Sequence, residues 1–182
     1  MTETIGYQVT HNTSEALSIV VNIKQDMNGA HPASMTQFWT FDKKSGEVVS
    51  LADFTEQSDE AAEAIISAAK NSISQTIKQR QQPEIGLNEI INKEALSNFI
   101  ITNNGNALAW PLGQASLLPS SYGELTITVP ISFVSKYLQN PTARKFANIP
   151  KPAEKPKPAP IAPTSIVANK TIALTFDDGP GP

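Results

Sequence analysis

The chain has no cysteine among its 182 residues, which excludes a disulfide framework, a thiolate zinc site and a cysteine nucleophile. It has no surplus of positive charge: 14 lysines and arginines stand against 17 acidic residues, for a formal net charge of -3. A chain so balanced carries no field that would condense on nucleic acid or on anionic lipid, and neither partner is expected. No apolar stretch approaches the roughly 18 residues that a membrane-crossing helix needs. The opening "MTETIGYQVTHNTSEALSIVV" lacks a basic segment followed by an apolar one, so neither a signal peptide nor a transmembrane segment is expected in this chain. Histidine is scarce too, with His11 and His31 the only two.

What is present reads as a folded domain with additions, since 40% of the residues are hydrophobic and 17% charged. Leu17, Ile19, Val21 and Ile23 alternate with Ser18, Val20 and Asn22, the period of a strand with one buried face. "MTQFWTFD" repeats the rule, with Met35, Trp39 and Phe41 on one side and Phe38 on the other, before a turn at Gly46. The period then changes. Ala61, Ile65, Ala68, Ala69, Ile73 and Ile77 fall at helical spacing, with Ser58 as N-cap, Asp59 and Glu60 at the positive end of the dipole, Lys78 and Arg80 at the other, and Pro83 as a stop.

A shorter helical pattern covers residues 87–96. Asn104-Gly105, set between two apolar runs, supplies the positive dihedrals of a tight hairpin turn. Leu125, Ile127 and Val129 form a last alternating strand, which Pro130 ends, and a short helix to Leu138 follows. The fold class implied is α+β: an antiparallel sheet with helices packed on one face, over residues 1–138.

Residues 139–169 are rich in proline, lysine and alanine and read as an extended spacer. Residues 170–182, "KTIALTFDDGPGP", then read as an opening core strand, the first of a truncated (β/α) barrel. Asp177 and Asp178 stand where such a strand gives way to a loop, the place where barrel enzymes gather catalytic groups. Two carboxylates at a turn can converge on a metal and its bound water, one as ligand and one as proton acceptor. The same four residues, Asp-Asp-Gly-Pro, also make an ordinary turn.

"KTIALTFDDGP" resembles the first motif of polysaccharide deacetylases of the NodB-homology type, metal-dependent enzymes that remove acetyl groups from peptidoglycan, chitin-like or xylan chains. The resemblance implies that Asp177 is the catalytic base and Asp178 a ligand of a divalent metal, usually zinc, with Thr175 and Phe176 as scaffold. The family's His-x-x-x-His segment is absent, so the 182-residue chain is expected neither to hold zinc tightly nor to deacetylate. Most of residues 15–138, including "HPASMTQFWTFDKKSGEVVSLADFT" and "GELTITVP", is similar to an uncharacterised extracellular α+β domain. That domain precedes some bacterial deacetylase domains and forms the outer part of a lysozyme-sensing anti-sigma factor. The resemblance implies a secreted, surface or periplasmic setting, an acetylated cell-wall polysaccharide as partner, and a protein ligand of the accessory domain.

Within 1–138 no catalytic constellation stands out. His11 and His31 read as exposed and unpartnered, and Asp42, Asp53 and Glu56 as solubilising or capping residues. Trp39 and Trp110 would stack on sugar rings if exposed together, and belong to the core otherwise. The expectation is the N-terminal part of a deacetylase. The alternative is a non-catalytic surface module that binds cell-wall glycan or a protein such as lysozyme.

Overall fold

The computed structural model describes residues 2–26, 33–113 and 116–151. The α+β class holds, but the single sheet expected from periodicity is two small antiparallel sheets of three strands each. The first is a meander of β1 (Thr2–Asn12), β2 (Ala16–Asp26) and β3 (Ala33–Asp42). Its register aligns Ile5, Ile23 and Met35 in one row, Tyr7, Val21 and Gln37 in the next, and Val9, Ile19 and Trp39 in a third. Strand β1 is not among those expected; its apolar residues are diluted by threonine and glutamine. A register shift between Val9 and His11 bends its far end.

The second sheet is β4 (Ile100–Thr102), β5 (Ala107–Leu112) and β6 (Leu125–Pro130), in that order. Asn103, Asn104 and Gly105 join β4 to β5 with φ of 52°, 53° and 88°, the left-handed run that Asn-Asn-Gly tolerates best. A side chain at Gly105 would also collide with Asn148, whose Nδ2 lies 3.0 Å from where a Cβ would sit. Strand β6 has Leu125, Ile127 and Val129 inward and Thr126 and Thr128 outward, and it ends at Pro130 as an edge strand.

Helix α1 (Leu51–Phe54) begins in a capping box of Ser50 and Asp53. Helix α2 (Asp59–Gln79) has the expected N-cap: Ser58 Oγ accepts from the Ala61 amide. It buries Ala61, Ile65, Ala69, Ile73 and Ile77 against the second sheet. Helices α3 (Ile131–Val134) and α4 (Pro141–Phe146) close the unit. The helix expected over 87–96 is a string of turns. Leu87, Ile91 and Leu96 are buried there, but the Asn92 side chain captures the Ala95 amide, the local competition by which asparagine opposes a helix. The packed chain also runs on to Lys151, past the expected start of the spacer at 139, because α4 buries Ala143 and Phe146.

Trp110, Phe99 and Phe54 form the aromatic centre of the core, with ring centroids 5.0 Å apart for Phe54 and Phe99 and 6.5 Å for Phe99 and Trp110. The indole N–H of Trp110 donates to the Leu96 carbonyl at 3.1 Å, so the buried ring leaves no orphaned donor.

The first sheet meets the second across an edge. Val20, Ile100 and Ala109, with part of Phe38, form a small apolar contact between them, and Ala16 of β2 joins the main core. Beside it, hydroxyls take the place of a neighbouring strand for β4. The Ile101 amide donates to Ser18 Oγ at 3.1 Å, Ser18 and Thr40 oxygens lie 2.7 Å apart, and the Thr40 hydroxyl donates to the Phe99 carbonyl at 2.9 Å. Since Thr40 has one proton and gives it to Phe99, the Ser18 proton must bridge to Thr40. Thr10 adds a bond to the Ile101 carbonyl at 2.9 Å. Ser18 and Thr40 are fully buried, and each has its partners.

Candidate functional site

The largest concavity described is an open groove of about 810 Å³ beside α2. One wall is the outward side of the helix, where Ala64, Ser67, Ala68, Asn71 and Gln75 recur at helical spacing and present hydroxyls, amides and methyls. The other wall comes from β6, α3 and the turn after it: Thr128, Pro130, Phe133, Val134 and Tyr137. Its floor is fixed by Ser72, whose Oγ accepts the Thr128 amide at 3.4 Å and so occupies part of the free edge of β6. Lys78 is the one charged residue in the lining and stands 4.0 Å from Glu84.

Phe133 is 73% exposed, unusual for a phenylalanine on a helical turn between a sheet and a long helix. Nearby, Lys136 Nζ lies 4.4 Å from the centre of the Tyr137 ring, and interaction with Tyr137 holds its ammonium above the ordinary lysine value. The groove thus combines a bare aromatic ring, a polar but nearly uncharged wall, and small apolar patches. Sequence reasoning passed over it. The available signal is the stretch of α2 from Ala64 to Gln75, where the groove-facing positions are alanine, serine, asparagine and glutamine while Glu63 and Lys70 stand on another side of the helix.

The residues singled out from sequence fall elsewhere. Asp177, Asp178 and His31 lie outside the described residues. Among the described residues no group of three or more histidine, aspartate or glutamate side chains is placed to hold a metal ion. His11, expected to be exposed, is half-buried in β1 against Gly105 and the Phe146 backbone. Its Nε2 has no partner, and burial lowers its pKa.

Asp42 pairs with Lys145 at 2.6 Å, and that hydrogen bond, aided by the Lys44 amide, holds its carboxyl below the usual range. Asp53 caps α1, and Glu56 accepts from the Thr142 amide and hydroxyl. Trp110 is buried, whereas Trp39 lies half-buried on the first sheet beside Phe41, so the two indoles make no joint platform. No helix among the described residues is long and apolar enough to cross a membrane.

No protein-family model matches the chain, and no curated protein matches it. Solved structures do resemble it. A member of the DUF3298 family from Bacteroides fragilis has 18% sequence identity and a TM-score of 0.57, over 79% of this chain and 57% of that one. A DUF3298 family protein from Pseudomonas aeruginosa has 15% identity and a TM-score of 0.57, over 80% and 64%. The chain spans less than two thirds of either structure's length.

These neighbours correct the reading as a NodB-type deacetylase fragment. They belong to an uncharacterised family, nothing in them points to a deacetylase, and the described residues form no catalytic barrel. The physical reason lies in the motif: its match covers only about a dozen residues, and the four that carry the chemistry, Asp-Asp-Gly-Pro, are also common turn formers. At such low identity the likeness to the DUF3298 proteins is one of fold.

Proposed function

We propose that the described unit is a non-catalytic binding module that takes a neutral, acetylated glycan strand in the groove beside α2. The observation that carries this reading is the exposed Phe133 ring facing a wall of serine, asparagine and glutamine. Sugars present an apolar C–H face and a rim of hydroxyls; the ring matches the first and the neutral donors and acceptors match the second. The methyl groups of Ala64 and Ala68 give an N-acetyl methyl an apolar seat, with Asn71 and Gln75 within the same wall for its amide. The volume of about 810 Å³ lies in the range of ligand sites, and the open shape suits a chain that continues beyond the groove at both ends.

The test is titration of the 182-residue chain with N-acetylglucosamine oligomers, followed by amide chemical shifts. Shifts should map to α2, β6 and α3, and Phe133→Ala should weaken binding about tenfold, equivalent to about 1.4 kcal/mol. Unchanged spectra at millimolar oligomer, or a Phe133→Ala variant that binds as the wild type does, would overturn the reading.

A further inference from the structure

The first sheet has its polarity reversed. Its packed face carries Thr10, Ser18 and Thr40, while the opposite face carries the apolar rows, and no described element covers that face. Tyr7 is 79% exposed, Ile5 65%, Met35 55% and Val9 45%; Ile19, Val21, Ile23 and Trp39 are shielded only in part. No charge interrupts the three rows, and Glu3 comes only at their end. Three strands about 4.8 Å apart and about nine residues long cover roughly 14 by 30 Å in plan. That plan is about 420 Å², roughly half of the ~800 Å² per partner of a standard interface, so the rows supply the apolar centre of a contact and the strand ends its rim. An apolar patch of several hundred Å² on one protein often marks an interaction site.

We propose that this face is an interface between two copies of the chain, packed sheet on sheet about a two-fold axis running along β2. An uncharged apolar face is matched by another of the same kind, and a second copy of the chain supplies one. Among the described residues the only other large apolar side chains that stand exposed are Val48 and Phe133, which lie on separate elements, so the chain offers one such surface.

The rows are also complementary to themselves. A two-fold axis along the central strand keeps each row at its own level and exchanges its ends, placing β1 of one copy over β3 of the other. Tyr7 and Gln37 carry the only polar side-chain groups of the middle row and stand at its two ends; the axis sets each over the other, so hydroxyl and amide can pair. In the same operation small Val9 meets bulky Trp39, Ile5 meets Met35, and Val21 meets its own copy. Large groups over small ones are what two interdigitating sheet faces require.

Sedimentation equilibrium of the full chain should give twice the chain mass. Tyr7→Lys and Ile5→Lys, each at a position open to solvent in a single copy, should return it to the chain mass with an unchanged circular dichroism spectrum, while Phe133→Lys leaves the dimer intact. Because the native chain has no cysteine, single cysteines report the geometry unambiguously. With a short bis-maleimide, Val21→Cys should link to itself. Tyr7→Cys should link to Gln37→Cys in a mixture and poorly to itself. A wild-type chain of single mass at every concentration, open-ended oligomers, or dissociation by Phe133→Lys as well would overturn the proposal. Self-linking of Tyr7→Cys without linking of Val21→Cys would also overturn it, because that pattern marks edge-to-edge pairing through β1.

Discussion

The two sheets follow opposite rules. The first has strands of 10 and 11 residues and buries few of them beyond Ala16, Ser18, Val20 and Thr40. The second has strands of 3 and 6 residues, and its inward positions, Ile101, Leu108, Trp110, Ile127 and Val129 among them, are sealed under α2. Strand length therefore measures how many backbone hydrogen bonds a sheet makes, and says little about where the stability resides. Burial of apolar area dominates folding free energy, so the short strands hold the core and the long ones depend on it.

The contrast breaks most visibly at its centre. Trp110→Ala removes a fully buried ring and should lower the unfolding free energy by about 3–5 kcal/mol. Tyr7→Ser on the open face should change it by about 0.5 kcal/mol or less at concentrations where the chain is a single copy. Urea titration of both variants checks this, and equal losses would erase the distinction between the sheets.

A smaller effect tests the junction. Ser18→Ala leaves the Ile101 amide without its acceptor, for a loss of about 1–3 kcal/mol, and hydrogen exchange at Ile101 should accelerate. Exchange as slow as in the wild type would show that the bond does not secure β4.

The smallest effect is an acid sensitivity on the first sheet. Burial depresses the His11 pKa below the ~6.5 of an unperturbed imidazole, so in mild acid the unfolded chain binds more protons than the folded one. The stability this group contributes is complete above that ordinary value, declines as pH falls towards the depressed folded value, and levels off once both states are protonated. His11→Asn should flatten the drop in thermal midpoint between about pH 7 and 5, and an unaltered profile would place the sensitivity elsewhere.

Much of the second half of this fold is legible in the sequence because its signals are local. Helix α2 shows its period and both ends; the β4–β5 turn shows Asn104-Gly105; β6 shows alternation and a terminating proline. Residues 87–96 mislead because burial at Leu87 and Ile91 repeats every four residues whether the backbone is helical or merely folded back on itself. The first sheet is legible in period but not in orientation. Leu17, Ile19, Val21 and Ile23 alternate as a core-facing row should, yet the side that meets the second sheet is the one bearing Ser18 and Thr40.

The groove leaves no compact motif, since its walls come from one helix, one strand edge and one turn dispersed over residues 64–137. The terminal "TFDDGP" is the converse, a compact motif whose Asp-Asp-Gly-Pro residues are also turn formers, and it lies outside the described residues.

Oily surfaces tolerate displacement, and the patch of Val20, Ile100 and Ala109 would be nearly as content a few ångströms away. The relay from the Ile101 amide through Ser18 and Thr40 to the Phe99 carbonyl is not so forgiving, because each link has a direction and a length. Positions 10, 18 and 40 thus work as an address, telling one layer where on the other to land. A slip of β4 by one residue would misdeliver all of it at once.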